Sequence, residues 1–341
     1  MSFALLIVLL IFGGWANSLA MSRTLHEFAL INMHEQWMAQ YERTYADDIE
    51  KNTRFEIFKS NLNYIEKFNQ EPNRTYKLGI NLFADLTNEE FLRHFTGLKV
   101  PMVPSSSSEE YTSFKYENLT ADNIPTGIDW RNEGAVTDVK NQGQCGSCWA
   151  FSAVAAVEGI TKITTGNLVS LSEQQLVDCV GKNRGCSGGW TEYAFEYIMQ
   201  NQGIATETNY PYQQSQESYC YTGISLAAQI TGYEKVPQNN EDALLKAVSM
   251  QPVSVGIEST SSLQFYQPSS GIFTGDDCSG NPINHVVTIV GYGEENGIKY
   301  WLAKNSWGTT WGDNGYVKIM RGGDSAQGVC LINTYATYPL A

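Results

Sequence analysis

The chain has 341 residues, of which 42% are hydrophobic and 17% are charged, and its formal net charge is −14. This length allows about two domains, or one domain with a removable extension, and the composition is typical of a globular protein with a sizeable core. The acidic balance has no basic cluster within it. It argues against a nucleic-acid partner, because phosphates are bound by summed Lys and Arg charge.

An apolar run opens the chain, from Phe3 to about Phe12, and small residues follow it up to Ala20. The run is too short to span a bilayer comfortably and is typical of a secretory signal peptide. A signal anchor is the alternative, but no basic flank follows the run. We therefore predict a signal peptide over residues 1–20, entry into the secretory pathway, and no membrane attachment after cleavage.

Helical spacing marks the stretch between about Met33 and Asn69. Apolar residues recur there at intervals of three and four, which predicts a helical hairpin with one apolar face. These residues are Trp37, Tyr41, Phe55, Phe58, Leu62, Ile65 and Phe68. Residues 77–87 then predict a short strand, and Thr87 with Glu90 three positions later predicts a helix that starts with a capping box.

Residues 101–122 are rich in Pro, Ser and Glu and predict a linker, after which Gly, Trp, Tyr and Cys become frequent. A helix is predicted from Ala150 to about Thr164, ended by Gly166, and a second helix is predicted to start at Ser172. Toward the C-terminus, alternating β-branched residues and Gly-rich turns predict strands. The second part of the chain therefore joins a helical half to a strand-rich half.

All seven cysteines follow residue 144. In an oxidising compartment six can pair, which leaves one as either a buried packing residue or a reactive thiol. Cys145 and Cys148 have the spacing of a zinc knuckle or a redox pair, and Ser147 between them could itself be a nucleophile. A zinc site is excluded because the one histidine of this region lies elsewhere and no second close cysteine pair completes it.

His285 is the only histidine after the linker and the one candidate for an imidazole that acts near neutral pH. It lies in an apolar stretch, where a lone histidine is ordinarily structural. Cys148 opens a predicted helix, whose first turn offers unpaired N–H groups and partial positive charge to a thiolate. Cys148 is therefore a candidate nucleophile, and a buried structural thiol is the alternative.

Three motifs together resemble the papain family of cysteine proteases, above all its plant senescence and vacuolar thiol proteases. They are QGQCGSCWAFS around Cys148, NHVVTIVGYG around His285 and KNSWGTTWGDNGY with Asn305. Earlier in the chain, ten residues reproduce the cathepsin L-like propeptide signature: Glu50, Arg54, Phe58, Asn61, Ile65, Asn69, Gly79, Asn81, Phe83 and Asp85. The resemblance implies an α+β fold of two lobes, one helical and one an antiparallel β-barrel-like lobe, with the active-site cleft between them and a helical inhibitory prodomain before them.

The resemblance also implies the domains and the site. Residues 21–123 would be the inhibitory propeptide, with a helical prodomain over 33–95 and the linker over 101–122, and residues 124–341 the mature peptidase. The implied catalytic residues are Cys148 as nucleophile, His285 as acid and base, Asn305 to orient His285, and Gln142 as oxyanion donor. Ser147 would be the helix cap. The implied disulfides join Cys145 to Cys186, Cys179 to Cys220 and Cys278 to Cys330.

By the same resemblance, seven residues form the substrate cleft: Gly188, Gly189, Trp190, Ile283, Val286, Trp307 and Tyr335. Their pocket is apolar and Tyr335 shortens it, which predicts Val or Leu over Phe or Arg at the residue preceding the one cleaved. Leu331 stands where the family usually has Gly. Two sequons, at Asn73 and Asn118, precede the mature enzyme.

The expected activity is that of a cysteine endopeptidase made as a secretory zymogen, without cofactor or metal. Its partners would be peptide and protein substrates, its own propeptide and cystatin-type inhibitors, and it would act as a monomer. A vacuole, a lysosome-like organelle and the cell exterior are all open as its location. The alternatives are a peptidyl transferase with the same residues, a non-catalytic storage or binding homologue, and a propeptide that acts alone as an inhibitor.

Overall fold

The computed structural model describes residues 27–101, 114–268 and 271–341. The predicted signal peptide, and part of the predicted linker, lie outside the described residues. The chain divides into two compact units. The first contains the described residues up to Tyr64 together with Ala84–Leu86, and the second contains Ile65–Phe83 and Thr87–Ala341.

In the first unit, helix α1 (27–40) and most of α2 (Asp48–Gln70) form the predicted helical hairpin. Five signature residues belong to this unit: Glu50, Arg54, Phe58, Asn61 and Asp85. Phe58 is fully buried and packs against Trp37, with ring centroids 5.5 Å apart. Arg54 donates to the Asp85 carbonyl at 3.1 Å, and Asn61 donates to the Ala84 carbonyl at 2.8 Å. Glu50 accepts a backbone N–H at the start of its own helix.

The predicted strand over residues 77–87 is wrong. Leu78 forms one isolated bridge with Tyr266, and residues 82–85 turn. The reason is that two side-chain amides replace strand partners: Asn69 bonds the backbone of Leu78 in both directions, at 2.8 and 2.9 Å, and Asn81 accepts from Phe83 N–H at 3.0 Å. The other signature residues belong to the second unit. Among them, Ile65 is buried, and Gly79 N–H donates to the Phe265 carbonyl at 2.9 Å.

Helix α3 (Asn88–Phe95) starts with the predicted capping box, since Thr87 and Glu90 each accept a hydrogen bond from the other's backbone N–H. The predicted linker is only partly correct. Its described end contains a buried tyrosine, Tyr116, and one turn of 3₁₀ helix over Ala121–Asn123.

The helical half of the second unit contains α4 (Cys148–Thr165), α5 (Glu173–Cys179) and α6 (Thr191–Gln200). Both predicted helices are confirmed. Gly166 ends α4 in the left-handed region (φ 79°), and the Ser172 hydroxyl caps α5 by accepting from Gln175 N–H. Apolar side chains of the three helices form one buried core, and a small ribbon of β2 (Ile204–Ala205) and β3 (Leu226–Ala228) lies beside it.

The strand-rich half is an antiparallel sheet of seven strands in the order β4-β9-β5-β6-β7-β8, with β1 paired to β6. Its strands are β1 (Ile128–Asp129), β4 (Gly232–Lys235), β5 (Val253–Ile257), β6 (His285–Glu295), β7 (Ile298–Lys304), β8 (Tyr316–Met320) and β9 (Ala336–Leu340). Two helices, α7 (Glu241–Met250) and α8 (Ser261–Gln264), flank the sheet strands in sequence. Helix α4 contacts β5 and β6, and its first residue, Cys148, is buried in one cluster with Val286, the second residue of β6.

Three disulfides crosslink this unit: Cys145–Cys186, Cys179–Cys220 and Cys278–Cys330. They are the pairs that the resemblance implies. Within the described ranges, no helix is long and apolar enough to cross a bilayer.

Candidate active site

Cys148 is the first residue of α4, is fully buried, and is the one cysteine of the seven outside a disulfide. Ser147 lies at the N-cap position but makes no capping hydrogen bond; its hydroxyl instead lies 2.7 Å from the hydroxyl of Tyr212. Ser147 is therefore the cap residue by position, as predicted, although its side chain does not cap the helix. The first turn of α4 stays uncapped by Ser147, and the backbone N–H groups of Cys148 and Trp149 are among those that hydrogen-bond the thiol.

His285 is the first residue of β6 and is fully buried. Its Nε2 lies 2.8 Å from Asn305 Oδ1, which also accepts from Ser306 N–H at 2.8 Å. Because an amide oxygen only accepts, Nε2 carries the proton and Nδ1 is the basic nitrogen. Nδ1 has no hydrogen-bond partner among the described residues. The Trp307 ring stacks on the imidazole with centroids 4.5 Å apart, which shields the bond to Asn305 from water.

Burial decides the charge of both groups. It raises the pKa of the Cys148 thiol to about 12, against the opposing effect of four backbone N–H groups, including those of Val286 and Gly97. It lowers the pKa of His285 to about 4, against the effect of the Asn305 hydrogen bond. Near neutral pH this structure therefore holds a neutral thiol and a neutral imidazole.

Gln142 is buried beside the start of α4. Its Nε2 donates to the Cys145 carbonyl at 2.8 Å and to the Phe95 carbonyl at 3.2 Å, and its Oε1 accepts from the Ser306 hydroxyl at 2.6 Å. Trp307 Nε1 donates to the same Phe95 carbonyl at 2.9 Å. The Phe95 carbonyl, at the end of α3, therefore already accepts from the Gln142 side-chain amide that we expect to donate to an oxyanion.

The segment after α3 crosses the site as extended backbone. Gly97 N–H and Leu98 N–H donate to the Asn284 carbonyl at 3.1 and 3.0 Å, and Lys99 N–H donates to the Gly189 carbonyl at 2.9 Å. Gly189 N–H donates in return to the Gly97 carbonyl at 2.8 Å, which makes a parallel bridge. Residues 96–99, hereafter the crossing segment, thus lie on the residues expected to bind substrate.

Two glycines allow this close approach. A Cβ on Gly97 would lie 2.0 Å from the Gly146 carbonyl oxygen, and a Cβ on Gly188 would lie 2.6 Å from the Gly97 carbonyl oxygen. Neither Gly97 nor Gly188 could therefore carry a side chain without separating the two backbones.

The expected pocket residues come together around one side chain of the crossing segment. Leu98 is buried in a cluster with Cys148, Trp190, Val286 and Tyr335, and Ile283 packs at its edge. The rings of Trp190 and Tyr335 are 4.1 Å apart and form a tight aromatic wall. Four of the seven predicted cleft residues therefore line one apolar site next to the thiol: Trp190, Ile283, Val286 and Tyr335.

Motif reasoning missed the crossing segment and a buried charge network. Lys140 Nζ lies 2.8 Å from the Glu173 carboxylate and 3.3 Å from that of Glu158, and both carboxylates are almost fully buried. Lys304 Nζ donates to Thr137 Oγ1 at 2.9 Å. Thr137 in turn donates to the Glu158 carboxylate at 2.6 Å, which joins Lys304 to the charge network. Lys304 ends β7 and directly precedes Asn305, so the network holds the strand end that carries Asn305. Among the described residues, no group of three or more His, Cys, Asp and Glu side chains could hold a metal.

A free thiol at a helix start, a neighbouring imidazole held by an amide, and a peptide backbone lying over both define a thiol-dependent peptidase site. The comparisons with known proteins agree. The sequence model described as Papain family cysteine protease matches residues 124–340, and that described as Cathepsin propeptide inhibitor domain (I29) matches residues 34–91. The chain belongs to the papain family of cysteine proteases.

Relatives share nearly the full length. The senescence-specific cysteine protease SAG12 of Arabidopsis thaliana is 48% identical over 336 residues, covering 96% of each chain. Among solved structures, the recombinant stem bromelain precursor is 44% identical with a TM-score of 0.82, over 92% of this chain and 99% of that one. The proform of the ragweed pollen protease Amb a 11 is 43% identical with a TM-score of 0.81, over 92% and 95%.

These similarities confirm the predicted fold class and the interpretation as a protease zymogen, and they favour it over a non-catalytic homologue. The I29 domain is the chain's own inhibitor. Disulfides persist in oxidising compartments, so the three found here agree with a protein of the secretory pathway.

Proposed function

We propose that this protease cleaves peptide bonds through a thioester on Cys148 Sγ. The thiolate attacks the carbonyl carbon, the carbon–nitrogen bond breaks, and protonated His285 gives its proton to the leaving amine. Water then attacks the thioester while His285 takes its proton, the carbon–sulfur bond breaks, and the acid leaves with the thiolate and protonated His285 restored. The observation that carries the proposal is a free Cys148 whose sulfur is hydrogen-bonded by the Val286 N–H, next to His285 in the chain. His285 Nε2 is fixed by Asn305, and its Nδ1 has no partner among the described residues.

Gln142 Nε2 and the Cys148 N–H would stabilise the oxyanion. The Phe95 carbonyl oxygen 3.2 Å from Gln142 Nε2 supports this role, because it places a carbonyl oxygen on that donor in the proform. Removal of one such donor typically lowers the rate about 10²- to 10³-fold.

The active ion pair would form only after the crossing segment leaves. A thiol pKa near 4 requires roughly 6 kcal/mol in favour of the thiolate. A helix start contributes at most about 2 kcal/mol. Protonated His285 would therefore contribute most of the remainder, and a proton on His285 requires water to reach the site. Cleavage and release of the propeptide would thus switch the pair from neutral to charged.

Leu98 supports an aliphatic preference at the residue preceding the one cleaved, because it fills the pocket of Trp190, Val286 and Tyr335. We expect Val and Leu to be accepted more readily than Phe or Arg. A library of peptides that varies only this residue measures the preference through kcat/KM. Fastest cleavage with Phe or Arg would refute it.

The domain limits belong to the same proposal: a signal peptide over 1–20, a propeptide over 21–123 and a mature enzyme from about Ile124. A vacuolar, lysosome-like or extracellular enzyme, monomeric and open to cystatin-type inhibitors, would follow. Asn73 and Asn118 are exposed, which supports glycosylation of the propeptide. N-terminal sequencing of the processed enzyme tests the boundary.

Substitution of Cys148 tests the catalytic proposal. Cys148→Ser should abolish peptidase activity and labelling by a peptidyl epoxide, with the thermal midpoint unchanged. Ser147→Ala is the matched control: it removes the neighbouring hydroxyl, whose contacts are to Tyr212 and to the Cys145 carbonyl, and should keep activity within about tenfold. A purified, active Cys148→Ser enzyme would overturn the assignment.

A further inference from the structure

The end of the propeptide is held at a second place, at residues 114–119. Tyr116 is only 8% exposed although its neighbours Lys115 and Glu117 are exposed. Its ring packs on Tyr338 with centroids 5.3 Å apart, and Phe114 packs edge-on to the same tyrosine at 6.3 Å. A tyrosine that is buried between exposed neighbours occupies a specific pocket.

Polar contacts fix both the side chain and the backbone of this segment. The Tyr116 hydroxyl donates to Gln251 Oε1 at 2.8 Å. Gln251 is fully buried, and its Nε2 donates to the Pro339 carbonyl at 3.0 Å, so its oxygen is held toward the tyrosine. The tyrosine hydroxyl therefore satisfies a buried acceptor, which a phenylalanine ring at this position would leave unpaired.

The backbone on either side of Tyr116 is held as well. Lys115 N–H donates to Glu234 Oε2 at 2.9 Å, and Lys246 Nζ donates to the Glu117 carbonyl at 2.8 Å. The segment itself is a turn, in which Glu117 N–H donates to the Phe114 carbonyl at 2.9 Å and Leu119 N–H to the Tyr116 carbonyl at 3.1 Å. The contacts to Glu234 and Lys246 therefore hold the backbone of this turn and not the flanking side chains.

This pocket is separate from the catalytic cleft. It is built from the end of α7, the edge strand β4 and strand β9, and none of its residues contacts the crossing segment in the hydrogen bonds described above. Tyr338 lies three residues beyond the cleft residue Tyr335, and side chains at odd spacing along an extended chain point to opposite faces.

We propose that the mature domain carries a second peptide-binding site, formed by Gln251, Tyr338, Glu234 and Lys246, which takes a turn-forming peptide with one tyrosine. In the zymogen the chain's own residues 114–119 occupy it. Cleavage near Ile124, as proposed above, detaches that segment from the enzyme as the C-terminal end of the propeptide, and the site then binds it in trans independently of the cleft.

The test uses processed enzyme whose cleft is blocked at Cys148 by a peptidyl epoxide. A fluorescent peptide with the sequence of residues 114–123 should bind saturably, with Kd below ~1 mM. The Tyr116→Phe peptide should bind about fivefold more weakly, the loss of one neutral hydrogen bond. The Glu117→Gln peptide is the matched control and should bind unchanged, since only its backbone is contacted. Equal binding by all three peptides, or no saturation, would overturn the proposal.

Hydrogen exchange on the full-length Cys148→Ser chain gives a second readout. Tyr116→Phe should speed exchange of the Lys115 amide about fivefold while amides of the crossing segment keep their protection. If both segments lost protection together, the second site would not be independent. Hydrogen exchange on the Cys148→Ser chain uses neither activity nor labelling of Cys148, so it remains informative if the catalytic assignment fails.

Discussion

Gly97→Ala should loosen the crossing segment, because the added methyl has no room. It would lie 2.0 Å from the oxygen and 2.5 Å from the carbon of the Gly146 carbonyl, so the two backbones must separate. Four hydrogen bonds meet there, from the N–H groups of Gly97, Leu98, Lys99 and Gly189. Loss of two costs about 2 kcal/mol, and partial exposure of Leu98 about 1 kcal/mol more. Together these correspond to about 100-fold easier opening.

The rate at which iodoacetamide alkylates Cys148 in the uncleaved full-length chain measures this opening. Intact-mass spectrometry separates uncleaved from processed molecules, so self-processing does not enter the rate. We expect about 100-fold faster labelling for Gly97→Ala. Lys99→Ala, which removes an exposed side chain from the same segment and keeps its backbone bonds, should label at the wild-type rate. Equal rates for Gly97→Ala and wild type would refute the reasoning.

Three further outcomes follow from the same structure. Burial raises the pKa of Cys148 to about 12, so the thiol stays protonated below that pH. Thiolate absorbance should therefore be absent at pH 7 in the uncleaved chain and appear after processing. Thiolate absorbance before processing would contradict this. Lys140→Met strands two buried carboxylates and should lower the free energy of unfolding of the Cys148→Ser chain by about 3–5 kcal/mol. Lys182→Met removes an exposed ion pair and is the control, which should leave the free energy of unfolding unchanged. Equal losses of unfolding free energy in both variants would show that burial of the carboxylates is not the cause. Leu331 has φ 66°, in the left-handed region, so Leu331→Gly should raise stability by about 1 kcal/mol, and a lower unfolding midpoint would argue against strain there.

Local sequence signals predicted local structure well. The start of α5 at Ser172 and the end of α4 at Gly166 follow from the chemistry of those residues and their immediate neighbours. Ser147 lies at the predicted cap position, but its hydroxyl contacts a distant residue, Tyr212, which the local sequence does not reveal. The strand predicted over 77–87 failed for the same kind of reason, since the side chain of Asn69 takes the backbone groups that a strand partner would use.

The site was predictable where it uses side chains and not where it uses backbone. Cys148, His285 and Asn305 stand in motifs, and the resemblance located them. The crossing segment closes the site through backbone contacts such as that of Gly97 with Gly146, which leave no side-chain pattern to recognise. The ion pairs of Lys140 with two buried carboxylates were equally invisible, because lysine and glutamate side chains are normally exposed.

All three disulfides lie between residues 145 and 330, within the region matched by the peptidase family. No covalent staple therefore joins the inhibitory part to the enzyme apart from the main chain itself. A single backbone cut between the two matched regions would therefore leave the inhibitory part held by noncovalent contacts alone. The peptidase region therefore keeps its disulfide crosslinks, whereas the propeptide region relies on noncovalent contacts that can dissociate.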